Sequence, residues 1–443
     1  MPEFAALLTR SASAGRRFTE LFKGSRALLR SGVVSYIHPA ENVKYVRATS
    51  RYGALVATCQ HAARSTPARS ALIDDHGVLT FAELDRQSNA LARGLHADGV
   101  RASDAVAVLA RDLRGIVLAM LAAGKLGIHL LRVDSTIKAG ELDEFCTAAG
   151  VHALLHDAEF TGLAATLSDR VPRYLTWSDE ESLEPFRPTL RALIGAHSQA
   201  PLRSLARVGT LLGSSAATSS EVPRERQSAL ASAQFLDRIP LHAGQIIVLA
   251  GDWDHSTTLA LLSLAFALGS TVVSQQWFDA ERTVRFVEMH RADVLAATPE
   301  ALREILDLGA ERVRKYDHSS LSVIIGTGAP LTEDLCRRAE EVFGPVLHTV
   351  YSPTPGAVAA VATPDELRLA PGTVGRSPFT CRVALFTADG ERIAAPHTPG
   401  RVFVAYAQGI EGRQPEHAAG MIATADTGHF DESGLYFIDR NGG

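Results

Sequence analysis

The stretch Thr210-Leu211-Leu212-Gly213-Ser214-Ser215-Ala216-Ala217-Thr218-Ser219-Ser220-Glu221-Val222-Pro223-Arg224 decides how the rest of this sequence is read. A short apolar run delivers the chain into a loop dense in hydroxyls, and a proline and an arginine follow. Backbone N–H groups freed in such a loop, together with Ser and Thr hydroxyls, donate to phosphate oxygens, and a nearby cation neutralises charge. The same composition suits a plain solvated loop, because Ser, Ala and Thr runs fill surface connections. Order along the chain separates the two readings.

Ala71-Leu72-Ile73 reads as a strand followed by an Asp74-Asp75-His76-Gly77 turn. Thr80 then opens a helix as N-cap, and Glu83 three residues on completes a capping box. Apolar positions continue through Ala90, Leu91 and Leu95. Val106 to Ala110 is a buried strand, Ile116 to Leu126 a helix ending at Gly127, and His129 to Val133 a further strand. The alternation continues to about Phe343 and predicts an α/β class: layered, largely parallel sheets flanked by helices. After Gly356 the strands shorten. Arg382 to Phe386 and Arg401 to Ala405, with turns at Asp389-Gly390 and Pro399-Gly400, predict a smaller β-rich subdomain. The mixed, polar stretch from Asp179 to Arg207 reads as a connecting segment.

A length of 443 residues exceeds one ordinary core and points to two or three subdomains. Hydrophobic content of 46% and charged content of 21% are those of a globular chain, and a net charge of −5 makes no case for nucleic-acid binding. Cys59, Cys146, Cys336 and Cys381 lie far apart with no Cys-x-x-Cys pair, so they read as reduced residues of a cytoplasmic protein rather than a disulfide framework or metal site. No apolar run reaches membrane-spanning length, and no cleavable signal is evident. The first fifty residues set eight basic side chains against Glu3, Glu20 and Glu41, with Phe4, Leu7, Leu8, Phe18, Leu21, Phe22, Leu28 and Leu29 interleaved at helical spacing. Such a helix either packs on its own domain or makes peripheral contact with an anionic membrane surface.

With that order established, the loop resembles the phosphate loop of the adenylate-forming (AMP-binding) enzymes: acyl-CoA synthetases, luciferases and peptide-synthetase adenylation domains. Their pattern reads roughly Thr-Ser-Gly-Thr-Thr-Gly, one residue, Pro-Lys-Gly. Here Ser215 or Ala217 and their neighbours replace the internal glycines, extra residues precede Pro223, and Arg224 holds the lysine position. The resemblance implies phosphate contacts from Ser214, Ser215, Thr218 and Ser219. Thr80 to Leu84, Asn89 to Ala92, Gly99-Val100, Asp104 to Ala107 and Lys125-Leu126-Gly127 follow the family's order as fold markers. Val323-Ile324-Ile325-Gly326-Thr327-Gly328-Ala329-Pro330-Leu331 is similar to its adenine-binding turn, implying roles for Gly326, Gly328, Ala329 and Pro330. A glycine turn lets a flat ring lie against bare backbone, although the residues alone also fit an ordinary strand-to-helix turn.

Tyr351-Ser352-Pro353-Thr354-Pro355 stands where the family has Tyr-Gly-x-Thr-Glu. Tyr351 is thereby expected to stack on adenine and Thr354 to contact phosphate. The position of the Mg²⁺-holding glutamate is Pro355, whose side chain offers no oxygen ligand. Thr424-Ala425-Asp426 resembles the family's Thr-Gly-Asp, which implies that Asp426 accepts from both ribose hydroxyls. Asp252-Trp253-Asp254-His255 precedes a helix from Thr258 to Leu268 and resembles the acyl-pocket pair, implying Trp253 and His255 as pocket lining. Asp254 aligns within one residue, and helix capping or exposure stays open for His255. Phe437 to Gly443 matches the hinge, where Arg440 takes the ribose-contacting place with a one-residue gap and Asn441 without it.

The resemblance implies a basic segment at 1–52, an AMP-binding α/β domain of two related subdomains at 53–355, a β-rich subdomain at 356–438 and a hinge remnant at 439–443. In the family a C-terminal lid domain carrying a lysine follows; it is expected to be absent here. The implied activity is that of a fatty-acid–CoA ligase, an AMP-forming acid–thiol ligase that adenylates a fatty or other carboxylic acid with ATP and passes the acyl group to CoA. ATP or AMP and CoA are the expected ligands, Mg²⁺ is in doubt and no metal ligand is assigned. The altered loop, Pro355 and the missing lid lysine imply low or no activity, and no catalytic residue is assigned. The alternative is a non-catalytic acyl- or nucleotide-binding protein, or a partner for an intact ligase.

Overall fold

The computed structural model describes residues 31, 39–176, 189–202, 211–214, 235–251, 256–353, 358–379, 381–406 and 421–439. Strand burial dictates the layering. In β3 (Ala105–Leu109), Val106 and Val108 belong to one core, while Ala105, Ala107 and Leu109 belong to another. A strand apolar on both faces needs cover on both, the usual state of a parallel sheet. β3 sits at the centre of a five-stranded parallel sheet ordered β6-β5-β3-β4-β7, with β4 at His129–Arg132, β5 at Val151–His156, β6 at Arg173–Leu175 and β7 at Leu211–Ser214.

A second, eight-stranded sheet is ordered β13-β12-β11-β10-β8-β9-β1-β2. Its strands are β1 (Ser70–Asp74), β2 (Gly77–Thr80), β8 (Ile246–Ala250), β9 (Thr271–Val273), β10 (Val294–Ala297), β11 (Val323–Gly326), β12 (Leu347–Tyr351) and β13 (Ala360–Ala362). β12 through β1 run parallel, and the edge strands β2 and β13 are antiparallel. The small sheet β14-β15-β16-β17 is antiparallel throughout, with β14 at Cys381–Phe386, β15 at Gly400–Tyr406, β16 at Ile422–Phe430 and β17 at Tyr436–Asp439. The expected α/β architecture with a β-rich subdomain is what the chain adopts.

Among the described residues, helices α1 (Pro39–Tyr52), α2 (Ala54–Ser65), α3 (Phe81–Ala97) and α4 (Leu113–Leu126) are followed by α5 (Ala139–Ala148), α6 (Leu190–Ala196) and α7 (Ser256–Ala267). Leu55, Leu91, Leu118 and Phe266 from α2, α3, α4 and α7 share one core with Val106 of the five-stranded sheet and Leu72 and Ile247 of the eight-stranded one. These helices are therefore the filling between two sheets. α8 (Ala280–His290), α9 (Pro299–Asp307) and α10 (Glu333–Phe343) cover the far face of the large sheet, and α5 covers the far face of the other.

Local chemistry sets the boundaries. Thr80 and Glu83 form the expected box: the Thr80 N–H donates to Glu83 Oε2 at 2.8 Å, and the Glu83 N–H donates to Thr80 Oγ1 at 3.3 Å. α4 begins at Leu113, ahead of the expected Ile116, because the Asp112 carboxylate accepts from the N–H groups of Arg114 and Gly115. It ends at Gly127 in the left-handed conformation that glycine adopts without strain. Lys125, wholly inside this layer, donates to Asp85 Oδ1 at 2.8 Å and Ser88 Oγ at 2.7 Å, so its charge is paired where burial would otherwise be prohibitive.

Two stretches differ from their sequence reading. The segment expected to be a plain connection contains α6, capped by Thr189, with Leu190, Leu193 and Ile194 buried against α3. Room for it exists because Gly94 lacks a side chain; a Cβ there would meet Leu193 at 3.1 Å. Past Gly356, β13 joins the large sheet through β12 before the small sheet begins. The described part of the basic N-terminal segment, α1, packs on α2, with Ala48 buried and the Tyr45 ring edge-on to His61 at 5.9 Å. Residues 1–30 and 32–38, which carry most of the membrane-contact reading, lie outside the described residues. Among the described residues no helix is long and apolar enough to cross a membrane, and the four cysteines are buried and free.

Candidate adenosine site

Because β12 through β1 are parallel, Tyr351, Gly326, Ala297, Ala250 and Asp74 all lie at carboxyl ends on one edge of the large sheet. Ligands of open α/β sheets bind outside such an edge. The five-stranded sheet presents its carboxyl ends on the same side, since Asp74 at the end of β1 meets Arg114 past the end of β3. Arg114 holds Asp74 with two prongs, Nε to Oδ2 at 3.0 Å and Nη2 to Oδ1 at 2.7 Å.

β11 delivers Gly326 into the turn Thr327-Gly328-Ala329-Pro330, after which Thr332 caps α10. The Thr327 N–H donates to the Ala297 carbonyl at 2.9 Å and fixes the turn to the neighbouring strand. Gly328 has φ 92°, open to glycine and strained for other residues. Gly326 is required for a different reason. A Cβ there would lie 2.8 Å from the Leu331 side chain, which folds back over the strand. Ala329 and Pro330 are half-buried beside it.

Tyr351 ends β12, buried to 2% exposure, and its hydroxyl donates to Asp426 Oδ2 at 2.6 Å. Asp426 comes from β16 in the other sheet, 75 residues along the chain, and is itself only 7% exposed. The structure therefore brings together two residues that the sequence supplied separately. Among the described residues no donor reaches the second carboxylate oxygen, Oδ1, of Asp426. A nearly buried carboxylate with one oxygen held and the other open suits a pair of ribose hydroxyls, so the residues present fit an adenosine group.

The route by which Asp426 reaches Tyr351 was not legible in the sequence. Arg401 of β15 pairs with Thr427 and Phe403 pairs with Ala423, so Val402 alone faces Thr424, Ala425 and Asp426. This bulge re-aims the strand, as bulges beside binding sites commonly do. The Thr424 hydroxyl donates to the Val402 carbonyl at 2.9 Å and accepts from the Asp426 N–H at 3.1 Å.

A second polar junction also went unread, because Asp74-Asp75-His76 had served only as a turn. Asp112 and Asp157 are both buried at the carboxyl ends of β3 and β5. Asp157 Oδ2 accepts from the N–H groups of Arg111 and Asp112 at 2.6 and 3.0 Å, and Oδ1 takes the Thr176 hydroxyl. Burial above all, then the Asp157 charge, push the Asp112 carboxyl up to about 6, while His76 Nε2 stands 3.7 Å away. Charged residues within three positions of the ends of apolar strands were the available signal.

The remaining expected site residues divide cleanly. Ser214 ends β7, in register with Arg132 of β4. Ser215, Thr218, Ser219, Trp253, His255, Thr354 and Arg440, together with Pro355, lie outside the described residues. Among the described residues no cluster of three His, Cys, Asp or Glu side chains could hold a metal ion.

Residues 59–412 match the profile of the AMP-binding enzyme family. The chain is 28% identical to acetyl-coenzyme A synthetase 2 of Kluyveromyces lactis over 63% of its own length and 46% of that protein. It is 25% identical to a fatty acid–[acyl-carrier-protein] ligase of Streptomyces coeruleorubidus over 87% of the chain and 76% of the ligase. Among solved structures, o-succinylbenzoate CoA synthetase of Bacillus subtilis, in complex with its acyl-adenylate intermediate, superposes with TM-score 0.71 at 20% identity, covering 87% of this chain and 78% of that one.

Proposed function

Because this chain belongs to the AMP-binding enzyme family, we propose that it binds an adenylate, either AMP or an acyl-adenylate, at the Tyr351–Asp426 pair. Its acid is a fatty or other carboxylic acid, and its reaction is that of an acid–CoA ligase with low turnover. One observation carries the reading: the Tyr351 hydroxyl fixes one oxygen of a nearly buried carboxylate, and among the described residues no donor holds the other. A ribose hydroxyl donating to Asp426 Oδ1 supplies the hydrogen bond that burial otherwise denies the carboxylate, and charge-assisted bonds of this kind are the strong ones. ATP, when bound, supplies the adenylyl group that activates the acid.

The low turnover rests on sequence positions. Ser215 or Ala217 and their neighbours replace loop glycines, and Pro355 stands at the position of the metal ligand. Loss of one preorganised charge-stabilising donor typically slows a reaction by ~10²–10³, so two such losses leave little. The same substitutions favour a second reading, an adenylate-binding protein without turnover. The two are separated by measuring pyrophosphate release with ATP, Mg²⁺, CoA and a panel of short to long fatty acids. Turnover within the common enzyme range of ~1–10³ per second would overturn both the low-turnover and the non-catalytic readings.

A further inference from the structure

We infer that Thr424 is the positioning residue of the adenosine site: its hydroxyl holds the β16 bulge that aims Asp426 at Tyr351. The inference rests on the adenosine reading above. In an unbroken antiparallel pair the carbonyl of Val402 and the N–H of Asp426 would each bond to backbone across the ladder. The two-residue slip between β15 and β16 puts both out of that pattern. Thr424 is buried, and its single hydroxyl serves both groups, donating to Val402 O at 2.9 Å and accepting from Asp426 N at 3.1 Å.

Without that hydroxyl, a buried carbonyl and a buried amide lose their partner together, and unmet buried polar groups are costly. The relief open to the strand is to shift its pairing toward an unbroken ladder. Undoing a two-residue slip keeps each side chain on its face but moves it about 7 Å along the strand. Asp426 would then leave the Tyr351 hydroxyl, which reaches it at 2.6 Å in the present register. The bulge thus converts a side-chain hydroxyl into the placement of a carboxylate on a neighbouring sheet.

The test uses AMP titrations by calorimetry on the full chain with Thr424→Val, which keeps the shape and removes the hydroxyl, and Thr424→Ser, which keeps the hydroxyl. Loss of about one hydrogen bond's worth of placement predicts roughly tenfold weaker AMP binding for the Val variant and near-parental binding for Ser. In an Asp426→Ala background the Val substitution is expected to change nothing further, because Thr424 acts only through Asp426. An equal loss in both backgrounds, or a Ser variant as weak as Val, overturns the positioning role. If the Val variant is unfolded, Thr424→Ala, which also removes the hydroxyl, takes its place in both backgrounds with the same expected and contradicting results. If the parent itself binds no adenylate, the adenosine reading falls. Amide exchange at Asp426 then still decides the bulge, which predicts faster exchange in the Val variant and is refuted by equal rates.

Discussion

At Asp112 a carboxylate is buried where it caps α4, with Asp157, Asp74, His76 and Arg114 packed around it. Folding raises its pKa to about 6, so the folded chain holds that proton more tightly than the unfolded one. The associated stability is complete below the unfolded value of ~3.9 and is lost as pH climbs through about 6. Asp112→Asn keeps a capping oxygen and removes the titration. Its melting temperature relative to the parent is therefore expected to rise between pH 4 and pH 8, and a constant offset would show that Asp112 does not titrate in this window. Tyr351→Phe removes the donor to a nearly buried carboxylate, which predicts a loss of about 1.5–3 kcal/mol in denaturant unfolding. Single residues were legible where their role is local. Thr80 and Glu83 announce their box within four positions, whereas nothing near Tyr351 in sequence points to Asp426, whose contact depends on pairing between distant strands.

Beside the Tyr351–Asp426 bond and a shared apolar cluster, a short strap joins the large and small sheets. Val361 bonds with Arg376, and Gly375 bonds with Tyr436, so two adjacent residues link β13 to β17. Gly375 has φ 77°, and a Cβ there would strike the Val361 carbonyl. Gly375→Ala is expected to destabilise the fold by at least the ~1–2 kcal/mol of left-handed strain, with the small sheet losing amide-exchange protection first. Uniform loss across all three sheets would contradict the strap. Elements with strong periodicity were readable: the apolar run of β3 and the helix ending at Gly127 both appear within three residues of expectation. α6 was missed because Leu190, Leu193 and Ile194 make a helix face only against the gap left by Gly94, a packing partner about a hundred residues away.

Across the whole molecule, one core spans both parallel sheets through α2, α3, α4 and α7. Two sheets that share this filling, in addition to the core each carries on its far face, are expected to unfold in a single calorimetric transition; two resolved transitions would contradict the shared layer. The α/β layering was legible because alternating strands and helices leave few other arrangements. The site was legible only in part, since its residues come from different sheets and meet through topology. The account stands or falls on whether the Tyr351–Asp426 pair holds an adenylate. Calorimetric titration of AMP into the parent and into Asp426→Ala tests this directly. The account predicts saturable binding to the parent, weakened by about 1.5–3 kcal/mol in the variant. Absence of binding to the parent, or binding untouched by the substitution, would contradict it.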